Sequence, residues 1–272
     1  MLTRRESAAT NGILSMMVLF ALAPVVGVVL VALQAKGVGG GITSLTDLTL
    51  GNFGRAWDQG MMSASLRSST IVVSLAVPAA TGLSVLAGYA FATMRWPARG
   101  LLLGLFVFGL MIPIEGTLIP LYFMWRQVGI TDTYWAIILT EIGYHMPFGV
   151  FWMAQSFRAV PRELIESARI DGASTWQILR RVVGPVCTPA ISTLAALQFM
   201  WVWNNFLMPL VMISSQDKQT ATVSLSFFQG EYVTDFTALA AASVIVALPV
   251  VVAYVVLQRQ FIAGFASGAL KG

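Results

Sequence analysis

Long apolar blocks alternate with shorter polar stretches along this chain. Six apolar blocks are long enough to cross a bilayer as a helix, which takes about 20 residues. They cover residues 13–33, 66–94, 101–125, 134–157, 186–213 and 238–257. The pattern predicts an all-α polytopic membrane protein with six transmembrane helices. No Pro/Ser-rich linker or run of charges divides the sequence, so we expect residues 1–272 to form a single transmembrane domain.

The longest polar interruption, residues 159–190, separates the fourth and fifth apolar segments. It predicts two short helices over about 159–185, which we call the two-helix loop. Pro161 suits the first position of the first helix, and Gly172 stands where a left-handed C-terminal cap belongs. The apolar residues of this helix recur on one face. They are Leu164, Ile165 and Ala168.

The second helix of the two-helix loop begins with a capping signature. Ser174 is followed three residues later by Gln177, which is the spacing of a capping box. Its predicted buried side is marked by Trp176, Leu179 and Val182. We therefore expect a folded, amphipathic surface element and not a flexible linker.

Composition and charge agree with a membrane protein. Hydrophobic residues make up 57% of the chain and charged residues only 10%, far from the usual soluble proportions. With a cytoplasmic N-terminus, eleven basic residues fall on the cytoplasmic side and five on the outer side. The positive-inside rule then predicts that both termini and the two-helix loop are cytoplasmic. This bias explains the net charge of +4 without a nucleic-acid partner.

Three ionisable residues lie at predicted membrane depth, where such groups tend to face a cavity or a partner. Glu115 lies in the third segment, and Glu141 and His145 share a helix face in the fourth. This pair suggests the polar wall of a substrate path. A hydrogen-bonded pair that fixes helix packing is an equally good interpretation. With one histidine and one cysteine in the chain, a metal site is not expected.

The fifth segment combines aromatic rings with amides. Trp201 precedes Asn204 and Asn205, a mixture that suits a sugar because its apolar face stacks on rings while its hydroxyls bond to amides. The alternative is hydrogen bonding between helices by the two asparagines. The complete predicted path consists of Glu115, Glu141, Tyr144, His145, Trp201, Asn204 and Asn205.

The two-helix loop carries three short blocks at fixed spacing. They read Glu166-Ser167-Ala168, Asp171-Gly172-Ala173-Ser174 and Val182-x-Gly184-Pro185. This arrangement resembles the EAA loop of the membrane subunits of bacterial ABC importers, with Ser, Val and Gly in place of an Ala, an Ile and a Leu. Further blocks between residues 66 and 272 are similar to the carbohydrate-uptake class, and more narrowly to permeases of the maltose-permease-G type. They include LAGYAFATMRWPARG, MIPIEGTLIPLY and WNNFLMPL.

The resemblance implies a type I ABC importer permease fold in the bacterial cytoplasmic membrane. It implies a second permease subunit, a dimer of ATPase subunits and an extracytoplasmic solute-binding protein as partners. The solute would be a sugar or a related polyol or glycerol-phosphate compound. Glu166 and Asp171 would contact the ATPase, or else cap helices and pair with nearby arginines. The residues implied in coupling are Leu164, Ile165, Glu166, Ala168, Asp171, Gly172, Ala173 and Ser174.

No phosphate-binding loop of the GxxxxGK[ST] form occurs in the chain, and its single histidine lies at membrane depth. We therefore expect no enzyme activity and no cofactor in this polypeptide, with ATP and Mg bound by the ATPase partner. An alternative class is an ion-coupled secondary transporter that uses Glu115, Glu141 and His145 as a proton relay. That class usually has internal repeats, and the two halves of this sequence show no convincing similarity.

Overall fold

The computed structural model describes residues 4–35, 48–229 and 234–269. The described chain is helical and contains no β-strand, only two isolated bridges, Gln34 with Leu48 and Gln229 with Thr234. Residues 36–47 and 230–233, the latter including Glu231, lie outside the described residues, as do the last three residues of the sequence.

Thirteen α-helices are found in the described residues. They are α1 (Arg4–Leu33), α2 (Gly51–Gln59), α3 (Met62–Thr93), α4 (Arg99–Gly109), α5 (Ile114–Val128), α6 (Tyr134–Arg158), α7 (Arg162–Ile170), α8 (Thr175–Ile178), α9 (Gly184–Val186), α10 (Thr188–Asn204), α11 (Leu207–Met212), α12 (Ala221–Ser224) and α13 (Phe236–Ala269). A π-helical turn, Leu179–Val183, joins α8 to α9, and 3₁₀ turns occur at Gln216–Lys218 and Leu225–Phe228.

Three helices are long and apolar enough to cross a membrane, at Thr10–Leu33, Met62–Thr93 and Phe236–Val256. They match the first, second and sixth predicted segments. Two bent pairs raise the number to as many as five if each pair is one span. The fourth predicted segment forms α6, which is not among these candidate spans and carries the polar residues Glu141 and His145.

The third predicted segment is not one continuous helix. It is broken between α4 and α5, which are bent by 99°. Pro113 stands at the break with an extended backbone, ψ 133°. The ring of a proline disfavours helical geometry in the residue before it, here Ile112, so α4 ends before this point.

The fifth predicted segment is also interrupted. Helix α10 ends at Asn204, Asn205 is extended with ψ 122°, and α11 begins at Leu207. Pro209 explains the break, because its ring would clash with the carbonyl four residues earlier, that of Asn205, in a continuous helix. The chain before α10 is bent as well, by 81° between Thr175–Val186 and Thr188–Asn204.

The chain divides into two compact units, Met1–Ser65 with Val223–Leu248, and Leu66–Thr222 with Pro249–Gly272. In the first unit, α2 is held to the end of α1 by a buried amide. The side chain of Asn52 donates to the carbonyls of Ala32 and Gln34, each at 2.7 Å. Ala56, on the inner face of α2, is fully buried.

The second unit contains the core that carries the two-helix loop. Buried side chains of α3, α6, α7, the π-helical turn and α10 form one cluster. Helices α3 and α6 touch at Gly88, where a Cβ would lie 2.5 Å from Cβ of Met153 and 2.9 Å from the backbone nitrogen of Ala154. The loop is therefore packed onto two long helices and is not suspended between them.

Candidate functional site

A pocket of about 500 Å³ lies in the second unit, between the α4–α5 region, α6 and the end of α10. Its volume falls in the range of small-molecule sites. The pocket brings together five of the seven predicted path residues, Tyr144, His145, Trp201, Asn204 and Asn205. It is completed by Gly109, Leu110, Ile114, Phe148, Met200 and Leu207.

Glu141 lies behind the pocket wall and is only 2% exposed. Its carboxylate binds Nε2 of His145 at 3.0 Å and accepts a hydrogen bond from Nδ2 of Asn205 at 2.5 Å. Asn205 reaches across from the end of α10 because the chain is extended there. One buried carboxylate thus fixes two pocket residues. These hydrogen bonds support the packing interpretation of the Glu141–His145 pair, and although His145 also lines the pocket, its part in a substrate path stays a prediction.

Aromatic rings lie next to His145 in the pocket wall. The ring of Trp201 is stacked on that of His145, with centroids 5.4 Å apart and planes at 22°. Phe148 meets Trp201 edge-on at 5.0 Å. Trp201 remains 40% exposed, so part of its ring is open to the pocket. The pocket therefore offers an apolar aromatic surface next to imidazole and amide groups.

Glu115 is not part of this arrangement. It lies exposed in the first turn of α5 and does not line the pocket, although its neighbour Ile114 does. A second pocket of about 550 Å³, mostly apolar, adjoins the first and shares Gly109 and Tyr144 with it. A relay through Glu115, Glu141 and His145 is therefore not supported, since only the last two are in contact.

Sequence reasoning missed several residues of the pocket wall. Phe148 lies three residues after His145 and four after Tyr144, so the helical spacing of the fourth segment could have identified it. Met200 lies four residues before Asn204 on α10 and could have been added in the same way. Leu110 and Ile114 could not have been found, because they reach the pocket through the bend between α4 and α5.

The two-helix loop has the predicted local structure. Helix α7 ends in a Schellman motif, in which the N–H of Gly172 donates to the carbonyl of Arg169 and the N–H of Ala173 to that of Ala168, both at 3.0 Å. Gly172 has φ +80°, as the left-handed cap prediction requires. Pro161 is the N-cap residue and α7 begins at Arg162, one residue later than predicted.

The predicted capping box is also confirmed. The N–H of Ser174 donates to Oε1 of Gln177 at 2.7 Å, and the N–H of Gln177 donates to Oγ of Ser174 at 3.3 Å. Both donors would otherwise be unsatisfied at the start of α8. The turn between α7 and α8 is therefore fixed from both sides, by a glycine cap and by a capping box.

The predicted apolar faces of the two-helix loop need two corrections. Ile165 and Ala168 are buried in the core, at 8% and 9% exposure, while Leu164 is 42% exposed, so these three residues do not form one docking face. Trp176 is 59% exposed and not on the buried side. The buried residues of that stretch are Ile178, Leu179 and Val183, because the π-helical turn changes which residues face the core.

The outer surface of the two-helix loop combines apolar and acidic groups. Ile170 is 86% exposed and lies near the exposed Trp176 and Leu164 in the sequence. Glu166 and Asp171 are exposed too. In the described part of the chain, the salt bridges are Glu141–His145 and Lys218–Asp132, so neither loop carboxylate is paired with a nearby arginine. The local-pairing alternative is therefore not observed.

A polar clamp, missed by sequence reasoning, holds the start of α6 to the segment after α11. The carboxylate of Asp132 accepts hydrogen bonds from the N–H groups of Ser214 and Ser215 at 3.0 and 2.9 Å and from the Ser215 hydroxyl. The ammonium group of Lys218 lies 3.4 Å away. The Ser215 hydrogen bonds, helped by Ser214 and Lys218, lower the pKa of Asp132 to about 2. The clamp joins the connection before α6 to the segment after α11 within the second unit.

The described residues form helices, several of them apolar enough to span a membrane, with a pocket that carries a few polar groups between them, and this architecture is that of a polytopic membrane protein. Comparison with known proteins gives the family. Residues 80–264 match the family of binding-protein-dependent transport system inner membrane components. The chain belongs to this family, and it is a permease of the ABC importer class, as the EAA-like spacing predicted.

Several curated relatives cover most of the chain. The osmoprotective compounds uptake permease of Synechocystis sp. is 35% identical over 84% of this chain and 76% of its own length. The arabinooligosaccharides transport system permease of Halalkalibacterium halodurans is 33% identical over 85% and 84%. The diacetylchitobiose uptake system permease of Streptomyces coelicolor is 28% identical over 98% and 90%.

Solved structures share the fold. A bacterial ABC transporter that imports the acidic polysaccharide alginate has a chain that superposes with a TM-score of 0.80 at 20% identity, over 96% of this chain and 99% of that one. The MetNI methionine ABC transporter gives a TM-score of 0.58 at 16% identity, over 75% and 95%. At these identities the likeness concerns the fold and not the solute.

Proposed function

We propose that this chain is one of two permease subunits of an ATP-driven importer for a sugar or a related polyol or glycerol-phosphate solute. Relatives are named for arabinooligosaccharides, diacetylchitobiose and melibiose/raffinose/stachyose, which supports a carbohydrate. A pocket that combines the Trp201 ring with amide and imidazole groups supports the same class of solute. The partners are a second permease, an ATPase dimer and an extracytoplasmic solute-binding protein.

The proposed topology has six spans in one permease domain, with both termini cytoplasmic. The distribution of eleven basic residues against five supports this orientation. The fourth span is α6, whose buried Glu141 and His145 satisfy each other and so reduce the cost of polar groups at membrane depth. The two-helix loop then faces the cytoplasm, where the ATPase is located. The protein is a multi-pass component of the bacterial cytoplasmic membrane.

The observation that carries the proposal is the construction of the two-helix loop. Its outer surface presents exposed apolar side chains, Ile170 and Trp176, beside the unpaired carboxylates of Glu166 and Asp171. Exposed apolar groups rimmed by polar ones are typical of protein interaction sites. We assign this surface to contact with the ATPase subunit, together with Leu164. Gly172, Ala173 and Ser174 hold its turn.

The buried face of the loop has a different role in this mechanism. Ile165 and Ala168 pack in the same cluster as Met153 and Phe157 of α6. Closure of the ATPase dimer would move the loop, and this packing would pass the movement to the spanning helices. Rigid-body motion of packed helices would then open the pocket to alternate sides of the membrane. ATP and Mg are bound by the ATPase partner, and this chain contributes no catalytic residue.

The contact is tested by co-purification of the ATPase subunit with the permease complex. Ile170→Glu and Trp176→Ala are expected to reduce the bound ATPase, because each removes exposed apolar contact area. Trp135→Ala is the matched control, since Trp135 is equally exposed, at 56%, but lies at the start of α6. Full retention of ATPase by both loop variants would refute the assignment.

A further inference from the structure

The charge of the pocket wall restricts what the pocket can bind. Among the residues that line the pocket, all within the described part of the chain, there is no lysine or arginine. His145 is its one titratable basic group. Directly behind the wall lies the carboxylate of Glu141, 3.0 Å from His145. The exposed carboxylate of Glu115 follows the lining residue Ile114 in the sequence. The carboxylate that contacts a lining residue, that of Glu141, therefore makes the wall acidic and not basic.

The Glu141–His145 pair carries no net positive charge in any state with Glu141 ionised. With a neutral imidazole the pair is −1, and with an imidazolium it is zero. Both groups are buried, at 2% and 7% exposure, so solvent screens them weakly. An anionic solute would enter a region of low dielectric without a compensating cation, and this is costly.

The remaining polar groups suit hydroxyl groups. Nε2 of His145 is engaged by Glu141, which leaves Nδ1 for a ligand hydroxyl. Asn204 is exposed and uses one amide proton on the carbonyl of Met200, at 2.8 Å, so it retains a further donor and an acceptor. Asn205 is already used by Glu141 and by the N–H of Met208, at 3.2 Å. These bonds make it a positioning residue, with one amide proton left over.

We infer that this pocket binds an uncharged sugar ring and discriminates against acidic sugars and phosphorylated solutes. The ring stacks on Trp201, its hydroxyls bond to His145 and Asn204, and Glu141 orients the wall while repelling anions. This inference rests on the proposed sugar import and narrows its solute class. The alginate importer shares the fold but handles an acidic polysaccharide, so the difference would lie in the pocket and not in the architecture.

Saturation-transfer NMR on the purified permease–ATPase complex tests this inference, because it detects weak binding without the solute-binding protein. Trehalose, melibiose and raffinose are the neutral probes, and alginate oligosaccharides are the acidic probe. We expect at least one neutral sugar to bind, and the acidic probe to bind at least about ten-fold more weakly. Trp201→Ala should abolish the neutral signal, whereas Trp135→Ala, outside the pocket, should retain it.

A gain of binding provides a second measurement that misfolding cannot imitate. Asn204→Lys places a cation at the pocket and should strengthen binding of the acidic probe at least about ten-fold, whereas the uncharged Asn204→Gln should not. Equal or tighter binding of the acidic probe to the unmodified complex would overturn the inference. So would a neutral signal that survives Trp201→Ala, or the absence of any sugar signal. If one of these results is obtained while the ATPase still co-purifies with the permease, the inference about the solute fails and the importer assignment stands.

Discussion

Replacement of Gly172 is the most direct perturbation of the two-helix loop. This residue has φ +80°, in the left-handed region that L side chains rarely adopt. A Cβ added there would meet nothing within 4 Å, so the penalty of a substitution is in the backbone and not in a steric clash. For a β-branched residue this penalty is about 1–2 kcal/mol. Because 1.4 kcal/mol corresponds to about ten-fold in an equilibrium constant, Gly172→Val should reduce the ratio of capped to uncapped loops by about that factor.

The expected result is uncoupling of ATP hydrolysis from transport. The importer would be reconstituted in proteoliposomes with its ATPase and solute-binding protein, and sugar uptake and ATP hydrolysis would be measured together. Gly172→Val should lower the amount of sugar moved per ATP, by up to about ten-fold, because fewer loops hold the capped conformation. Gly172→Asn is the matched control, since asparagine tolerates the left-handed conformation better, and it should stay much closer to the unmodified protein.

The comparison of Gly172→Val with Gly172→Asn tests whether the backbone conformation at residue 172 is needed for coupling. If Gly172→Val transports as much sugar per ATP as the unmodified importer, the Schellman cap does not matter for coupling. If valine and asparagine are equally damaging, the effect comes from the added side chain at the ATPase surface and not from the backbone. Circular dichroism and size-exclusion chromatography of both variants would show whether the fold as a whole is retained.

Two further predictions concern packing and pH. Gly88→Ala should destabilise the protein by about 1–3 kcal/mol, because its Cβ would lie 2.5 Å from that of Met153. The control is Gly82→Ala on the same helix, whose Cβ would meet nothing within 4 Å and which should be tolerated. If the two variants unfold at the same temperature in detergent, the close approach at Gly88 is contradicted. Asp132 has its pKa lowered from 3.8 to about 2, so its clamp stabilises the fold above about pH 4 and loses this contribution as the pH falls towards 2. Since the Asp132 side chain is 34% exposed, screening by solvent reduces its contribution to stability to roughly 1 kcal/mol. Asp132→Asn should therefore lower the free energy of unfolding at pH 7 and weaken its decrease between pH 4 and 2. Asp58→Asn is the surface control. If the free energy of unfolding of Asp132→Asn depends on pH as strongly as that of Asp58→Asn, the prediction is refuted.

Features that depend on neighbours in the sequence were predictable. The Gly172 cap and the Ser174–Gln177 capping box are formed by groups at most five residues apart, so local composition was enough to identify them. The apolar segments were located for the same reason, since spanning length and hydropathy are properties of one stretch. The prolines at residues 113 and 209 were visible as well, and the breaks beside them follow from local backbone sterics.

Other features depend on contacts between distant segments. Trp176 was expected to be buried, yet the side chain is exposed because the π-helical turn and the core beneath it decide which residues face inward. The separate polar residues of the fourth and fifth segments became one site only when Asn205 reached Glu141, 64 positions earlier in the chain. The sequence alone determined the membrane class, the positions of the apolar segments and the caps of the two-helix loop, because these follow from local hydropathy and hydrogen bonding. The tertiary structure decided the pocket, the Asp132 clamp and the exposed face of the loop, because burial and long-range hydrogen bonds exist only once the helices have packed.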